Sequence, residues 1–232
     1  MFNGKMKALT LSFDDGVTQD ARFIEMLDKY GLKCTFNINS EKLGLPGSLV
    51  RNDVRVRHDK FTPDEAKEVY RYHEVAAHTL THPLLPTLPD AEVIRQVEED
   101  RLKLEQIFGR EVVGMAYPGG GVNHDDRVVK LVRENTNIRY ARGIDVTSSF
   151  DLPSDLLRTQ PSAYIVRFDE MWELGRKFLE LTPEKEQVFN IFGHAYEFDA
   201  YDLWGRMDEF LSMMSEKEDI FYGTYKEIFL KD

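Results

Sequence analysis

Residues 8–16 read Ala8-Leu9-Thr10-Leu11-Ser12-Phe13-Asp14-Asp15-Gly16. Residues 8–13 are a short apolar run with the length of a buried strand, and the run ends on two carboxylates and a glycine. Neighbouring side chains on a strand point to opposite faces, so adjacent acids seldom both face one pocket. At a strand end the chain can turn and let both reach the same mouth, and Gly16 eases that turn. Alone, the triplet reads equally well as a solvated turn capping the next helix.

The same punctuation recurs along the chain. Residues 33–39 form a second strand. Residues 74–77 form a brief strand running into His78-Thr79-Leu80-Thr81-His82-Pro83. Residues 111–117 end in Pro118-Gly119-Gly120-Gly121, residues 138–141 are a further strand, residues 187–192 run into Gly193-His194, and residues 220–222 form a last short strand. Helical periodicity fills the intervals at 19–30, 63–72, 90–108, 125–134, 168–181, 201–215 and 225–230. Thr62 caps and Pro63 opens the second of these helices. Residues 44–61 read as a charged loop with a turn at Pro46-Gly47, and residues 148–164 as irregular chain broken by Pro153 and Pro161.

This alternation implies an α/β fold with a mostly parallel sheet built from βα units, in a single domain over residues 1–232. A closed or distorted (β/α) barrel is favoured over an open sheet. Each chemical motif follows a predicted strand, and barrels build their sites at the C-terminal strand ends.

Composition narrows the function. The 232 residues are 42% hydrophobic and 31% charged, as in a soluble globular protein. A net charge of −11 argues against nucleic acid or an anionic membrane as partner, since both call for a basic face. The single cysteine, Cys34, lies in an apolar run and is expected in the core. No apolar stretch reaches membrane-span length. Residues 1–7 lack the apolar run of a secretion signal, so the chain as it stands reads as cytoplasmic.

His78 and His82 fall on one side if their segment coils, and neutral imidazoles are good ligands for zinc and similar ions. The zincin pattern needs Glu after its first His, whereas Thr79 stands here, so the segment carries no protease base. Capping or surface histidines would have the same spacing. The glycine-rich turn at 118–121 can expose N–H groups to an oxyanion or to a phosphate, although the Walker lysine is absent. His194, at a strand end, suits a general acid or a structural histidine.

Taken in order, Leu11-Ser12-Phe13-Asp14-Asp15-Gly16, His78-Thr79-Leu80-Thr81-His82-Pro83, Ala116-Tyr117-Pro118-Gly119-Gly120 and Phe192-Gly193-His194 resemble the polysaccharide deacetylase family, also called NodB-homology or carbohydrate esterase family 4. The resemblance implies a distorted barrel, usually of seven strands. It implies that Asp15, His78 and His82 bind a divalent metal, usually zinc, with cobalt or another ion as alternatives. Asp14 would be the catalytic base, His194 the catalytic acid, and the Gly119 N–H an oxyanion donor. Tyr117 and Pro118 would border the substrate. Two departures stand out. The family's third motif begins with an arginine that pairs with the base, but Ala116 stands there, so Asp14 is expected to lack a cationic partner and to have a less depressed pKa. The fourth motif is not recognisable, which leaves Asp145 as the candidate carboxylate to orient His194.

The expected reaction is metal-dependent hydrolysis of an N-acetyl or O-acetyl group on a carbohydrate. Hydrolysis of another linear or cyclic amide, such as a cyclic ureide, is the nearest alternative. Tyr117, Phe150, Tyr196 and Trp204 could stack on sugars, but core packing fits their spacing better. A non-haem iron oxygenase also uses two histidines and a carboxylate, yet it leaves Asp14 without a use. A catalytically decayed, carbohydrate-binding relative would explain the missing arginine and fourth motif.

Overall fold

The computed structural model describes residues 2–230. In chain order the elements are β1 (Lys7–Asp14), α1 (Asp20–Lys29), β2 (Cys34–Ile38), β3 (Ser48–Arg51), β4 (Val54–Arg57), α2 (Pro63–Val69), β5 (Glu74–Ala77), α3 (Asp90–Phe108) and β6 (Gly114–Ala116). They continue with α4 (Asp126–Asn135), β7 (Tyr140–Arg142), β8 (Ala163–Tyr164), α5 (Phe168–Glu180), β9 (Gln187–Gly193), α6 (Tyr196–Ala200), α7 (Trp204–Met214), β10 (Ile220–Tyr222) and α8 (Tyr225–Phe229).

Seven strands follow one another in the order β7-β6-β5-β2-β1-β9-β8, all parallel, and curl into the expected distorted (β/α) barrel. The short β10 lies beside the first half of β1, with Lys7, Ala8 and Leu9 opposite Ile220, Phe221 and Tyr222. Beyond it β2 takes over, with Leu11 opposite Cys34 and Asp14 opposite Asn37. Between the edge strands, residues 159–163 close much of the gap. Thr159 bridges Arg142 of β7, and the Ser162 N–H donates to Asn190 O of β9 at 2.7 Å.

Every residue of β1 and β9 is buried, as a parallel sheet with both faces covered requires. Phe13 stacks on Phe23 with ring centroids 4.2 Å apart, and both meet Phe198, so α1 and α6 pack on one aromatic seam against β1. Burying each ring contributes about 1.5–3 kcal/mol. The long α3 presents Val93, Val97, Leu104 and Phe108 to the core and stops at Gly109, whose φ of 65° suits a left-handed cap. Thr62 and Glu65 form a capping box at the start of α2, so the proposed cap holds. Cys34 is buried in the core. No described helix is long and apolar enough to cross a membrane.

Two stretches differ from expectation. Residues 44–61 are not loop throughout, because β3 and β4 pair as an antiparallel hairpin. Asn52 and Asp53 form its two-residue turn with φ of 51° and 60°, the positive values that match the twist of paired strands. The irregular stretch 148–164 ends in β8, a short parallel strand against β9.

Candidate active site

Four strand ends deliver the charged groups. Asp14 ends β1 and Asp15 follows it, His78 directly follows β5, Arg142 ends β7, and His194 directly follows β9. Asp14, Asp15, His78, His82 and His194 all line one cleft of about 650 Å³.

Asp15 has φ of 79°, in the left-handed region, and Gly16 follows at 61°. This break in the strand lets both acids face the cleft, against a cost of roughly 1–3 kcal/mol for the non-glycine residue. The surroundings hold the turn: the Asp15 N–H donates to Asn37 O at 3.0 Å, and Lys60 Nζ donates to Asp15 O at 2.6 Å. At Gly16 a Cβ would stand 3.2 Å from the Ile38 side chain, so close packing as well as φ favours glycine.

One donor atom from each of Asp15, His78 and His82 lies within 4.8 Å of the others. Asp15 Oδ1 is 3.9 Å from His78 Nε2 and 3.7 Å from His82 Nε2. His78 Nδ1 sits 2.8 Å from the Ala116 carbonyl, which can only accept, so Nδ1 carries the proton and Nε2 keeps a free lone pair. Burial pushes the His78 imidazole pKa down, and burial with help from His78 pushes His82 down to about 4. Both rings are therefore neutral at pH 7. Burial opposes ionisation of Asp15, but the His58 hydrogen bond and the Lys60 charge outweigh it and hold the carboxyl well below its usual range. Two neutral imidazoles and a carboxylate suit a divalent cation such as zinc.

The segment between the histidines is a coiled turn with Thr79 at φ 67° and His82 at φ 65°. Asn39 Nδ2 donates to the carbonyls of His78 and Thr79, and Thr79 Oγ1 accepts the His82 N–H at 3.1 Å. Asp100 accepts the His78 N–H at 3.0 Å and the Ser40 N–H at 2.8 Å.

Asp14 stands apart from the cation-fitting group and has its own partners. Asn37 Nδ2 donates to Asp14 Oδ1 at 2.8 Å, and the Arg142 guanidinium pairs with the same oxygen. Arg142 is completely buried; its Nε donates to Ser12 Oγ at 3.0 Å and its Nη1 to Gly143 O at 2.8 Å. The expectation drawn from Ala116 is thus overturned. Asp14 does have a cationic partner, supplied by β7. Burial would raise its pKa, but Arg142, with His78 and His194, brings it below the ordinary value.

His194 Nδ1 lies 3.1 Å from Glu197 Oε2, an ion-pair distance without good hydrogen-bond alignment. The same oxygen accepts the His194 N–H at 3.1 Å, and the other carboxylate oxygen accepts from the Tyr164 hydroxyl. Burial lowers the His194 pKa, but Glu197, then Asp15 and Asp14, raise it to about 9. Asp145 is exposed on the rim, with its N–H on Gln160 Oε1 at 2.9 Å, so Glu197 replaces it as the partner of His194.

Gly119 lines the cleft with φ of 88°, and its N–H makes no hydrogen bond among the described residues. Tyr117 borders the cleft but is buried, stacked on His124 with centroids 4.4 Å apart, and its hydroxyl donates to Leu157 O at 2.9 Å. Pro118 is buried and outside the lining. Of the other aromatics, Tyr196 lines the cleft, while Phe150 packs on Phe178 and Phe189 and Trp204 on Phe198.

The hairpin brings groups that the motifs did not announce. His58 Nε2 lies 3.0 Å from Asp15 Oδ2, and Arg51 reaches the cleft from β3. Lys60 is buried, and burial, against the pull of Asp15 and Asp20, pushes its pKa down to about 8.

Residues 3–140, more than half of the chain, match the family profile described as polysaccharide deacetylase. The chain belongs to the polysaccharide deacetylase family. No curated protein matches it. Among solved structures, a polysaccharide deacetylase from Bacillus cereus is 22% identical, with a TM-score of 0.51 over 64% of this chain and 44% of that one. A family 4 carbohydrate esterase from Streptomyces lividans, in complex with acetate, is 14% identical at TM-score 0.57, covering 95% of this chain and 93% of that one. A carbohydrate esterase family 4 pseudoenzyme from Bacillus anthracis is 15% identical at TM-score 0.55, covering 97% of this chain and 66% of that one. The chain spans less than half the length of the Bacillus cereus deacetylase. At these identities the structures speak for the fold, and the family therefore shares the curled barrel described above.

Proposed function

We propose that this polysaccharide deacetylase family member is a metal-dependent hydrolase that removes N-acetyl or O-acetyl groups from a carbohydrate. One observation carries the reading. A cation-fitting triad, a separately paired carboxylate and an imidazole beside its own carboxylate share one cleft. Asp15, His78 and His82 would hold the metal, with zinc the best fit and cobalt or another divalent ion as alternatives. When bound, the metal supplies Lewis-acid polarisation of the acyl carbonyl and acidifies a water molecule.

The protein's own groups would do the rest. Arg142 keeps Asp14 ionised, and Asp14 takes a proton from the attacking water. The Gly119 N–H, without a partner among the described residues, donates to the carbonyl oxygen as negative charge develops there. His194, protonated at neutral pH beside Glu197, gives its proton to the departing amine or alcohol, which is a poor leaving group until protonated. Tyr117 borders the substrate as a rigid wall.

Loss of activity, as in the Bacillus anthracis pseudoenzyme, would be the competing account. Its sequence argument was a base without a cation and an acid without a carboxylate. Arg142 and Glu197 supply both, which favours an active enzyme. The test is acetate release by zinc-loaded protein from N-acetyl sugars, chito-oligomers and O-acetylated saccharides. Bound zinc with no acetate release from any of them would sink the deacetylase reading. Opening of cyclic ureides in its place would redirect it to another C–N bond.

A further inference from the structure

The chain has 41 acidic and 30 basic residues, yet cations gather at the mouth of the cleft. Lys42, Arg51 and Arg167 line it, and the facing acid of the rim is Asp145 alone, since Asp14 and Asp15 lie deep and buried. Several guanidiniums elsewhere on the surface are matched closely with carboxylates, as Arg95 is with Glu92 at 2.7 Å, Arg127 with Asp90 at 2.6 Å and Arg133 with Asp155 at 2.8 Å. Among the described residues neither Lys42 nor Arg51 has a carboxylate within 4.0 Å. Arg167 has only exposed Glu170, at 3.9 Å, a pairing worth little in water.

Arg51 is not neutralised by a carboxylate. It lines the cleft together with Tyr196. Tyr196 is itself buried, with its ring 5.0 Å from that of His194 and 5.1 Å from that of His58. A guanidinium without a carboxylate partner keeps its planar fork of donors for an incoming carboxylate or phosphate. Cations on the low-dielectric walls of a cleft also concentrate counter-charge there. The cleft, at about 650 Å³, has room for a sugar unit beyond an acetyl group.

We propose that the substrate carries an anionic group, a carboxylate or a phosphate, which Arg51 and Arg167 bind at the mouth of the cleft, with Lys42 adding charge. The inference builds on the deacetylase reading and names its substrate class. Binding is the primary readout, because it does not depend on turnover. Glucose, glucose 6-phosphate and glucuronate are titrated calorimetrically into zinc-loaded protein and into its Arg51→Gln, Arg167→Gln and double variants. The two residues are exposed, so the variants are expected to fold. An anionic sugar should bind about tenfold or more tightly than glucose. The double variant should bring that ratio close to one, Arg51→Lys should keep part of it, and added salt should shrink it. Whether the phosphate or the carboxylate gains more separates the two sources of charge. Equal binding of the three sugars, or a preference that survives in the double variant, overturns the proposal. Acetate release from N-acetylglucosamine, its 6-phosphate and its 3-O-lactyl ether is measured in parallel. An anion preference without acetate release from any of them upholds this inference and sinks the deacetylase reading; acetate release without an anion preference does the reverse.

Discussion

The guanidinium of Arg142 clasps the carboxylate of Asp14, tying the last residue of β7 to the last residue of β1. Strands β6, β5 and β2 lie between these two along the sheet, so the contact reaches across the barrel interior. Both partners are buried. Such a pair gains little over a well-packed apolar one, but breaking it strands a charge.

Arg142→Met should therefore destabilise the protein by about 3–5 kcal/mol at neutral pH, measured by denaturant unfolding. The pH dependence follows from the lowered Asp14 pKa, whose ordinary value is 3.8. The stabilisation is fully present above that value and is lost as pH falls through the folded-state pKa. The gap between wild type and variant should accordingly narrow in acid. A gap independent of pH would detach Arg142 from the ionisation of Asp14.

Glu197→Gln should move the alkaline limb of the kcat/KM profile to lower pH. Glu197 is the chief group raising the His194 pKa to about 9 against burial. A general acid must be protonated to act, so a lower pKa removes the active form earlier as pH rises. An unshifted alkaline limb would show that His194 is not the acid or that Glu197 does not govern it. His194→Ala should cost roughly 10²–10⁴ in kcat on an amide substrate.

Asp15→Ala and His82→Ala should lose stoichiometric metal in equilibrium dialysis, because each removes one of three donors. Asp14→Asn should keep the metal and lose hydrolysis, since Asp14 lies outside that group. Chelation should stop acetate release in the wild type, and added zinc should restore it. Retained hydrolysis in a rigorously metal-free Asp14→Asn protein would refute both assignments.

His58→Ala should weaken zinc binding by roughly ten- to a hundredfold without abolishing it, the usual effect of removing a group that orients a ligand. The reason is the 3.0 Å contact to Asp15 Oδ2, on the oxygen opposite the one nearest His78 and His82. An unchanged zinc affinity would make His58 a bystander.

The barrel and the heart of the site were legible because their signals are local. An apolar run that stops at Asp14-Asp15-Gly16, or a brief strand that enters His78, carries its message within a few residues. Arg142 does not, because its partner is 128 positions away and the strand expected before it ends at Ala141. A cation one residue beyond a predicted strand end was the available hint. Glu197 could have been found, since it is three residues after His194 at the start of a helical turn. The hairpin was hidden by its polarity. Val54-Arg55-Val56-Arg57 alternates with period two, and Asn52-Asp53 can take positive φ, but the Pro46-Gly47 turn and high charge around them read as loop. Tyr117 takes both expected places, buried with its hydroxyl on Leu157 O and still bordering the cleft.

The hairpin is fastened to the barrel by Gln19 Nε2 on Arg57 O at 2.9 Å and by Asn52 Nδ2 on Ala200 O at 3.2 Å. Arg51 extends from one of its strands, and His58 directly follows the other. A relative that acquired a different hairpin would change the face met by the incoming molecule and, in the same step, the brace on Asp15. The proposed anion contact of Arg51 and the proposed brace of His58 on a cation ligand would thus share one segment, so that replacing the hairpin would alter both together.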